Sequence, residues 1–577
     1  MLYKQTELDV DAFYAWLDVN PKIEAAYITY CEYDVISLSE IWTKFGKIIR
    51  DMINKILEHN PNMRKAKSDC NINKKPTLPS LSKTILEYKN YKESEKKYFG
   101  EGMEKYFNTL NDAITGGISH VSYAGKITDI LACLDVVSLY PFVMLNFGYP
   151  QGTPVETNEY QGNKLGIYQV ENVKLVKSNI VDVPTLKKDR LDWSETNCTK
   201  KYLTNICIER IRKRGGTLDV IDGIYWEKTW QPFEFLNVFK EEKCRQDTLK
   251  KIYGSLEKQV IECEKEEFSW SYDCDIDKLS EYQKRTKPTL LQRLENSGIT
   301  EGELYDSCKN IELPNSAMRE TCKLLMNSLY GKMLERQVNY TFIRIEDIKY
   351  DEDGSMGYMK NNKFIAVENH DLVENNGSYS MKIREENTNN YIHFGVFILA
   401  YSKYVMASYM DLVGRDYIVA SETDSIYFPN QLLSEIPDSV DHKNYDKDKP
   451  WMMIGKEFGN MEIEYSDITD ALFLGKKCCN FTKSLKRKEE IEKLDASDKE
   501  QEITKNTKMT FKGVPKANLD RAVYETLYEK GRVVVENINV FQRKLFDCNE
   551  SGIWVGKGKK IITAQMELKE HTLIQWI

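Results

Sequence analysis

Apolar and polar residues change period several times along the chain, and each change marks an element. Tyr14 to Leu57 repeats apolar residues at three- and four-residue steps, which predicts a helix, a turn and a longer amphipathic helix. From about Glu58 to Lys97 the chain turns polar and contains PTLPSLSK, the composition of a linker. Strand-like material returns at GGISHVSYAGKITDILACLDVVSLYP, where the apolar run from Ile130 fits a buried strand and stops on Asp135. Residues 155–310 mix strands such as LGIYQVENVKLV with long charged helices. Asn315 to Glu335 reads as a helix, followed by a polar, Asn- and Gly-rich β region to about Asn390. A second apolar helix, FGVFILAYSKYVMASYMDLV, precedes DYIVASETDSIYF, whose two strand-like halves flank a polar tight turn. LKRKEEIEKLDASDKEQEITK is charge-dense and reads as exposed, and the remainder to Ile577 mixes helix and strand.

Length and composition narrow this picture. A chain of 577 residues exceeds one ordinary domain, and 41% hydrophobic residues suffice for real cores. The apolar run FGVFILAY is too short to cross a bilayer, and no membrane partner is expected. The start, MLYKQTELDVDAFYAWLDV, is acidic and lacks a basic-then-apolar signal pattern. Thirteen cysteines without a CxxC pair argue against a zinc finger or disulfide framework and suit a reducing, intracellular compartment. The net charge of −8 does not exclude nucleic acid, because a groove needs only local positive potential. GKKCCNFTKSLKRK, KNTKMTFKGVPK and GKGKK are such local stretches, although a basic run alone reads as a solvated face.

A carboxylate closing a buried strand is costly unless a cation meets it. The second acidic element is the hairpin VASETDSIYF, which places Glu422 and Asp424 at a strand turn. Either aspartate alone would read as a cap or turn residue. If Asp135 and Asp424 meet on adjacent strands, they repel unless a cation bridges them. Oxygen-only ligands select Mg2+, with Mn2+ as the alternative, over zinc. The third element is the helix at 315–335, where Arg319, Lys323, Asn327 and Tyr330 share one face. Cations, an amide and an aromatic ring on one stripe match the needs of a nucleoside triphosphate; a solvated helix face is the plainer alternative.

Together DVVSLYP (Asp135 to Pro141), KLLMNSLYG (Lys323 to Gly331) and ETDS (Glu422 to Ser425) resemble motifs A, B and C of family B DNA polymerases, in the right order. The long gap between the first two resembles the protein-primed branch of phages, adenoviruses, linear mitochondrial plasmids and Polinton-like elements. TGGISH resembles the Gly-Gly element between exonuclease and palm. LGKKCC sits where a Lys-x-Tyr primer motif belongs, and KMTFKGVPK resembles a Lys-x-Lys-Gly stretch near the thumb. The resemblance implies an α+β right-hand fold with an antiparallel palm sheet, preceded by a remnant of a 3′–5′ exonuclease domain. Its parts would be an exonuclease remnant (1–57), a connection (58–112), palm (113–154 and 391–504), fingers (306–335) and thumb (505–577). Two insertions, 155–305 and 336–390, would complete it, the first being terminal-protein-like.

The resemblance implies roles residue by residue. Asp135 and Asp424 would be the catalytic ligands of two Mg2+ ions, with the Val136 carbonyl and Glu422 as further ligands. Ser138 and Leu139 would seat the triphosphate through backbone amides, and Tyr140 would exclude a 2′-hydroxyl. Lys323 and Asn327, with Arg319, would hold the incoming dNTP, and Tyr330 would pack on the nascent base pair. Lys477, Lys512, Gly116, Gly117 and Thr423 would contact DNA. The implied partners are primer-template DNA, dNTPs and a terminal protein primer. Departures are visible: Ala420 and Glu422 stand where motif C has Tyr-x-Asp, and Cys479 where the primer motif has tyrosine.

YCEYDV resembles the last exonuclease motif, Tyr-x-x-x-Asp, through Tyr30 and Asp34. Only 29 residues precede Tyr30, so a front-truncated exonuclease domain is expected, without proofreading, or with proofreading on a separate polypeptide. The expected activity is DNA-directed DNA synthesis in the replication of viral or mobile-element DNA. The alternatives are a catalytically decayed, DNA-binding remnant, and a reverse transcriptase or RNA polymerase. ETDS lacks the adjacent aspartates of a reverse transcriptase, and Tyr140 speaks against ribonucleotides.

Overall fold

A computed structural model describes residues 19–59, 72–75, 77–89, 103–187, 190–264, 315–335, 337–351, 353–360, 363–367, 370–375, 378–387, 391–493, 496–544, 552–564 and 566–573. The chain divides into two compact units, Met1–Asn90 with Glu234–Leu329, and Tyr91–Phe233 with Tyr330–Ile577.

The first unit is helical. Its longest helix is Pro21–His59, of 39 residues, preceded by a turn. Ile49, Met52, Ile53 and Ile56 recur at helical spacing and are buried, whereas Tyr33, Val35, Ile36, Leu38 and Ile41 on the preceding turns are exposed. The stretch expected to be a linker contains the helix Leu78–Lys89. Pro79 stands in its first turn, where a missing N–H costs nothing, so a residue that reads as a breaker here opens a helix. Leu81, Ile85 and Leu86 are buried, and the Ser82 hydroxyl donates to the Leu325 carbonyl at 2.8 Å. The helix Leu236–Glu264 and the helix Ser316–Leu334 as far as Leu329 complete the unit. Residues 155–305, read as one insertion, therefore split at Glu234; residues 265–314 lie outside the described residues.

The second unit is built on a nine-stranded sheet. Its strands are β1 (Ser119–Val121), β2 (Gly125–Ile127), β3 (Leu131–Val136), β4 (Ala420–Glu422), β5 (Ser425–Pro429), β6 (Met461–Gly475), β7 (Cys478–Thr482), β8 (Thr507–Phe511) and β9 (Lys569–His571). The spatial order is β1-β4-β5-β3-β6-β2-β9, with β7 and β8 continuing from β6. Every pairing is antiparallel except that of β2 with β9. The fold is therefore α+β with an antiparallel central sheet. β3 lies between β5 and β6, and Leu131 to Leu134 are buried, as an apolar run with two covered faces requires.

One sheet face packs Leu131, Cys133, Tyr427, Phe473 and Phe481 into a core. The helix Ile392–Val413 is long and apolar enough to cross a membrane, yet most of it is buried inside the protein. Gly395 is required there, because a Cβ would lie 2.5 Å from Leu334 Cγ.

Residues 155–225 form a four-stranded sheet with the helix Asn205–Lys213. It is tied to the end of the Ile392–Val413 segment by Asp182, which accepts from Arg415 at 2.9 Å, Arg214 at 3.0 Å and Arg210 at 3.1 Å. The polar β region after residue 336 forms two three-stranded sheets, within 337–387. The stretch read as thumb carries the helix Arg521–Lys530 and a hairpin of Arg532–Lys544 with Gly552–Thr563, but both β8 and β9 return to the central sheet.

Candidate active site

Strand register assembles the acidic centre. Ser119, Glu422, Ser425, Asp135 and Glu462 are successive direct partners across β1, β4, β5, β3 and β6. Direct antiparallel partners project to one face, so this row carries three carboxylates on one side of the sheet. The two-residue alternation that sends Leu131 and Cys133 into the core carries Asp135 on the same face to the strand end.

Asp424 joins this row from the β4–β5 turn. The Val136 amide donates to the Asp424 carbonyl at 2.8 Å, which holds the turn carrying Asp424 against the end of β3. Thr423, beside Asp424, has φ 67°. That is an outlying conformation for a β-branched residue and is held by its surroundings. The Thr423 amide donates to the Ile118 carbonyl at 2.6 Å, and the Asp424 amide to the Glu422 carbonyl at 2.8 Å.

Electrostatics separate this centre from an ordinary ion pair. Burial, Asp424 and Glu464 push the Asp135 carboxyl up to about 7, against the pull of Lys508. Lys508 itself pairs with Glu464 at 3.3 Å. Burial also raises Glu422, opposed by the hydrogen bond from the Lys477 amide. Among the described residues no three acidic, imidazole or thiol groups already form a metal cluster. The two aspartates are therefore an oxygen-only pair whose repulsion a divalent cation would relieve. The remaining ligands of Mg2+ would be water and phosphate, its usual complement.

Residues 16–255 match the family described as DNA polymerase type B, organellar and viral. A DNA polymerase of Kluyveromyces lactis is 25% identical over 461 residues, covering 78% of this chain and 36% of that protein. A probable DNA polymerase of Neurospora intermedia is 25% identical over 455 residues, covering 77% and 36%. The chain thus spans little more than a third of the length of these relatives. The fold resembles phi29 DNA polymerase complexed with primer-template DNA and incoming nucleotide, with a TM-score of 0.50 and 15% identity, over 85% of this chain and 68% of that one. Residues 16–255 are thus similar to the organellar and viral type B DNA polymerases.

Ser138 has φ 53° and caps the helix Leu139–Asn146 without a side-chain hydrogen bond. The first amides of that helix, including Leu139 and Tyr140, have no intrahelical acceptor and form an anion-receptive end beside Asp135. The Val137 amide donates to the Asn460 carbonyl at 2.9 Å and the Gly459 amide to the Val137 carbonyl at 3.0 Å, which fixes the link between Asp135 and the helix. Tyr140 stacks on Tyr330 with centroids 4.0 Å apart at 16°. A Cβ on Gly117 would lie 2.9 Å from Thr423 Cγ2 and 3.4 Å from the Tyr140 hydroxyl. The Gly-Gly element therefore backs directly onto the motif C turn and Tyr140, whereas a Cβ on Gly116 would meet nothing within 4 Å.

Lys477 and Lys512 come together through the backbone: the Lys512 amide donates to the Lys477 carbonyl at 3.0 Å. Both are exposed, while Cys479 is buried in the sheet core. In the first unit Lys323 is exposed and Asn327 half-buried. Arg319 is engaged otherwise: its guanidinium pairs with Asp247 and Glu320. Asp34 is exposed on the Pro21–His59 helix, and the side chain of Tyr30 lies outside the described residues. Glu462 and Glu464 were missed in the sequence. Their signal was the alternation in MEIEY, but only register could show that Glu462 faces Asp135.

Proposed function

We propose that this chain is a template-directed DNA polymerase that adds deoxynucleotides to a primer 3′-hydroxyl. The reading rests above all on Asp135 at the end of β3 and Asp424 in the β4–β5 turn beside it. These two residues would hold a pair of divalent ions, Mg2+ or Mn2+, with Val136 contributing its carbonyl. When bound, the ions supply activation of the attacking oxygen and charge neutralisation at the leaving phosphate.

The rest is the work of the chain. The amides opening the Leu139–Asn146 helix receive the triphosphate tail; Lys323 and Asn327 are assigned to nucleotide binding by their motif resemblance alone. Tyr140, held by Tyr330 and Gly117, closes the space a 2′-hydroxyl would need, and Tyr330 packs on the new base pair. Lys477 and Lys512 hold the primer backbone without reading sequence. The process served is replication of viral or mobile-element DNA in a reducing compartment. Terminal-protein priming and a separate proofreading polypeptide belong to this reading through the motif resemblance alone.

The decisive experiment is extension of a primed template with Mg2+ and labelled dNTPs by the purified chain and by Asp424→Asn. Extension by the first and none by the second is expected, with primer-template binding retained in both. One observation favours a second reading, a DNA-binding polymerase remnant with little catalysis: Glu422 replaces the motif C aspartate and is hydrogen-bonded elsewhere. Binding without extension by the unaltered chain is the outcome that selects it.

A further inference from the structure

Glu422 occupies the acidic row, but its carboxylate has a partner outside it. Its Oε1 accepts from the Lys477 backbone amide at 2.7 Å. Lys477 lies in the two-residue turn between β6 and β7 and has φ 55°. That left-handed conformation costs an L-residue roughly 1–2 kcal/mol, so the turn needs an external hold. It has one on each side of the residue. The Lys477 amide is taken by Glu422, and its carbonyl accepts from the Lys512 amide at 3.0 Å. Lys560 Nζ in turn donates to the Gly513 carbonyl at 3.0 Å. Lys477 and Lys512 are thereby tied, through main-chain groups, to one glutamate beside the motif C turn, with the Lys560 ammonium bracing the Lys512–Gly513 backbone.

Side-chain length decides who can make this contact. An aspartate at 422 would hold its carboxylate one methylene, about 1.5 Å, nearer its own strand. A 2.7 Å hydrogen bond does not survive such a retreat without movement of the turn. The substitution of Glu for Asp in motif C and the left-handed Lys477 are thus one device.

We propose that Glu422 is a positioning residue: it clasps the Lys477 turn and so aligns Lys477 and Lys512 on the primer backbone, rather than serving as a ligand of the divalent ions. The proposal rests on the polymerase reading for the identity of the DNA, and its test does not require catalysis. Binding of a fluorescent primer-template is measured in EDTA for the unaltered chain, Glu422→Ala, Glu422→Asp and Glu422→Gln, with hydrogen exchange of the Lys477 amide read alongside. Loss of one charge-assisted hydrogen bond is expected to weaken metal-free binding about tenfold in the Ala and Asp variants. Both should speed exchange at Lys477, whereas Gln, which keeps an acceptor of the right length, restores most of both. In extension assays the Ala variant should raise KM for primer-template more than it lowers kcat, with an unchanged Mg2+ midpoint. Metal-free affinity and Lys477 exchange unaltered in the Ala variant, or a Gln variant as damaged as Ala with a shifted Mg2+ midpoint, overturns the proposal. Failure of the unaltered chain to extend, with the binding differences intact, removes the polymerase reading and leaves the clasp standing.

Discussion

Two aspartates of the same unit, Asp182 buried and Asp135 half-buried, stand in opposite environments. Asp182 is enclosed by Arg210, Arg214 and Arg415. Burial drives its carboxyl upward, but the three guanidinium groups outweigh it and hold the carboxyl below its ordinary value. Asp135 is also shielded from water, yet its nearest charged neighbours are mostly acids, and it is pushed up to about 7. The first arrangement is closed: the carboxylate has its counter-charges within the chain, and its effect is to fix an inserted sheet to the end of a helix. The second is open, since acids outnumber the one opposing lysine, Lys508, around Asp135. Unsatisfied charge, more than burial, distinguishes a site from a brace.

The largest contrast should appear in catalysis. Asp424→Asn is expected to lower kcat for primer extension by on the order of a thousandfold or more, with the melting temperature held or raised. Steady-state extension and thermal unfolding in EDTA measure the two quantities, and near-normal kcat would dissolve the distinction between the aspartates. Asp182→Ala should do the reverse. Leaving three guanidinium groups around an empty space costs roughly 3–5 kcal/mol of stability, read from denaturant unfolding. Activity at low temperature should fall only as far as the folded fraction falls.

The pH dependence of stability sharpens the same contrast. In a chelator the folded chain keeps a proton on Asp135 between about pH 4 and 7 that the unfolded chain has released. Stability from this group therefore falls as pH rises through that window, and Asp135→Asn should flatten the fall. Asp182, with a depressed value, contributes stability that is present above the ordinary carboxylate range and lost as pH drops below it. Melting temperatures at pH 5 and pH 8 for Asp135→Asn test the first sign; an unchanged difference contradicts it.

Smaller effects probe what surrounds the open site. Tyr140→Ala should reduce discrimination against ribonucleotides by about tenfold or more, measured as the ratio of kcat/KM for dNTP and rNTP. Unaltered discrimination would detach Tyr140 from the sugar. Lys512→Ala should make log affinity for primer-template less steep against log salt by about 0.9, the share of one phosphate contact. A slope equal to that of the unaltered chain would mean that Lys512 does not touch the backbone.

Local pattern was enough for several elements. The apolar run ending on Asp135, the ETDS turn and the 316–334 helix are local features, set by alternation, turn chemistry and helical spacing. The helix at 78–89 was hidden because Pro79 and two serines read as loop, and only packing of Leu81, Ile85 and Leu86 reveals it. Arg319 shares its helix stripe with Lys323 and Asn327, and spacing cannot show that Asp247, far away in the chain, has claimed it. Likewise β9 pairs with β2 across more than four hundred residues, a contact no local pattern encodes.

What the sequence determined by itself is which residues could do chemistry and in which local conformation, because period, turn type and charge are properties of neighbours in the chain. Tertiary structure alone decided which of them meet. Register put Glu462 opposite Asp135, and the β6–β7 turn brought the Lys477 amide to the Glu422 carboxylate. Three arginines from two segments neutralised Asp182 and left Asp135 without an equivalent. The reason is physical: the energy of a charge depends on everything within a few ångströms of it, and in a folded chain most of that comes from distant sequence.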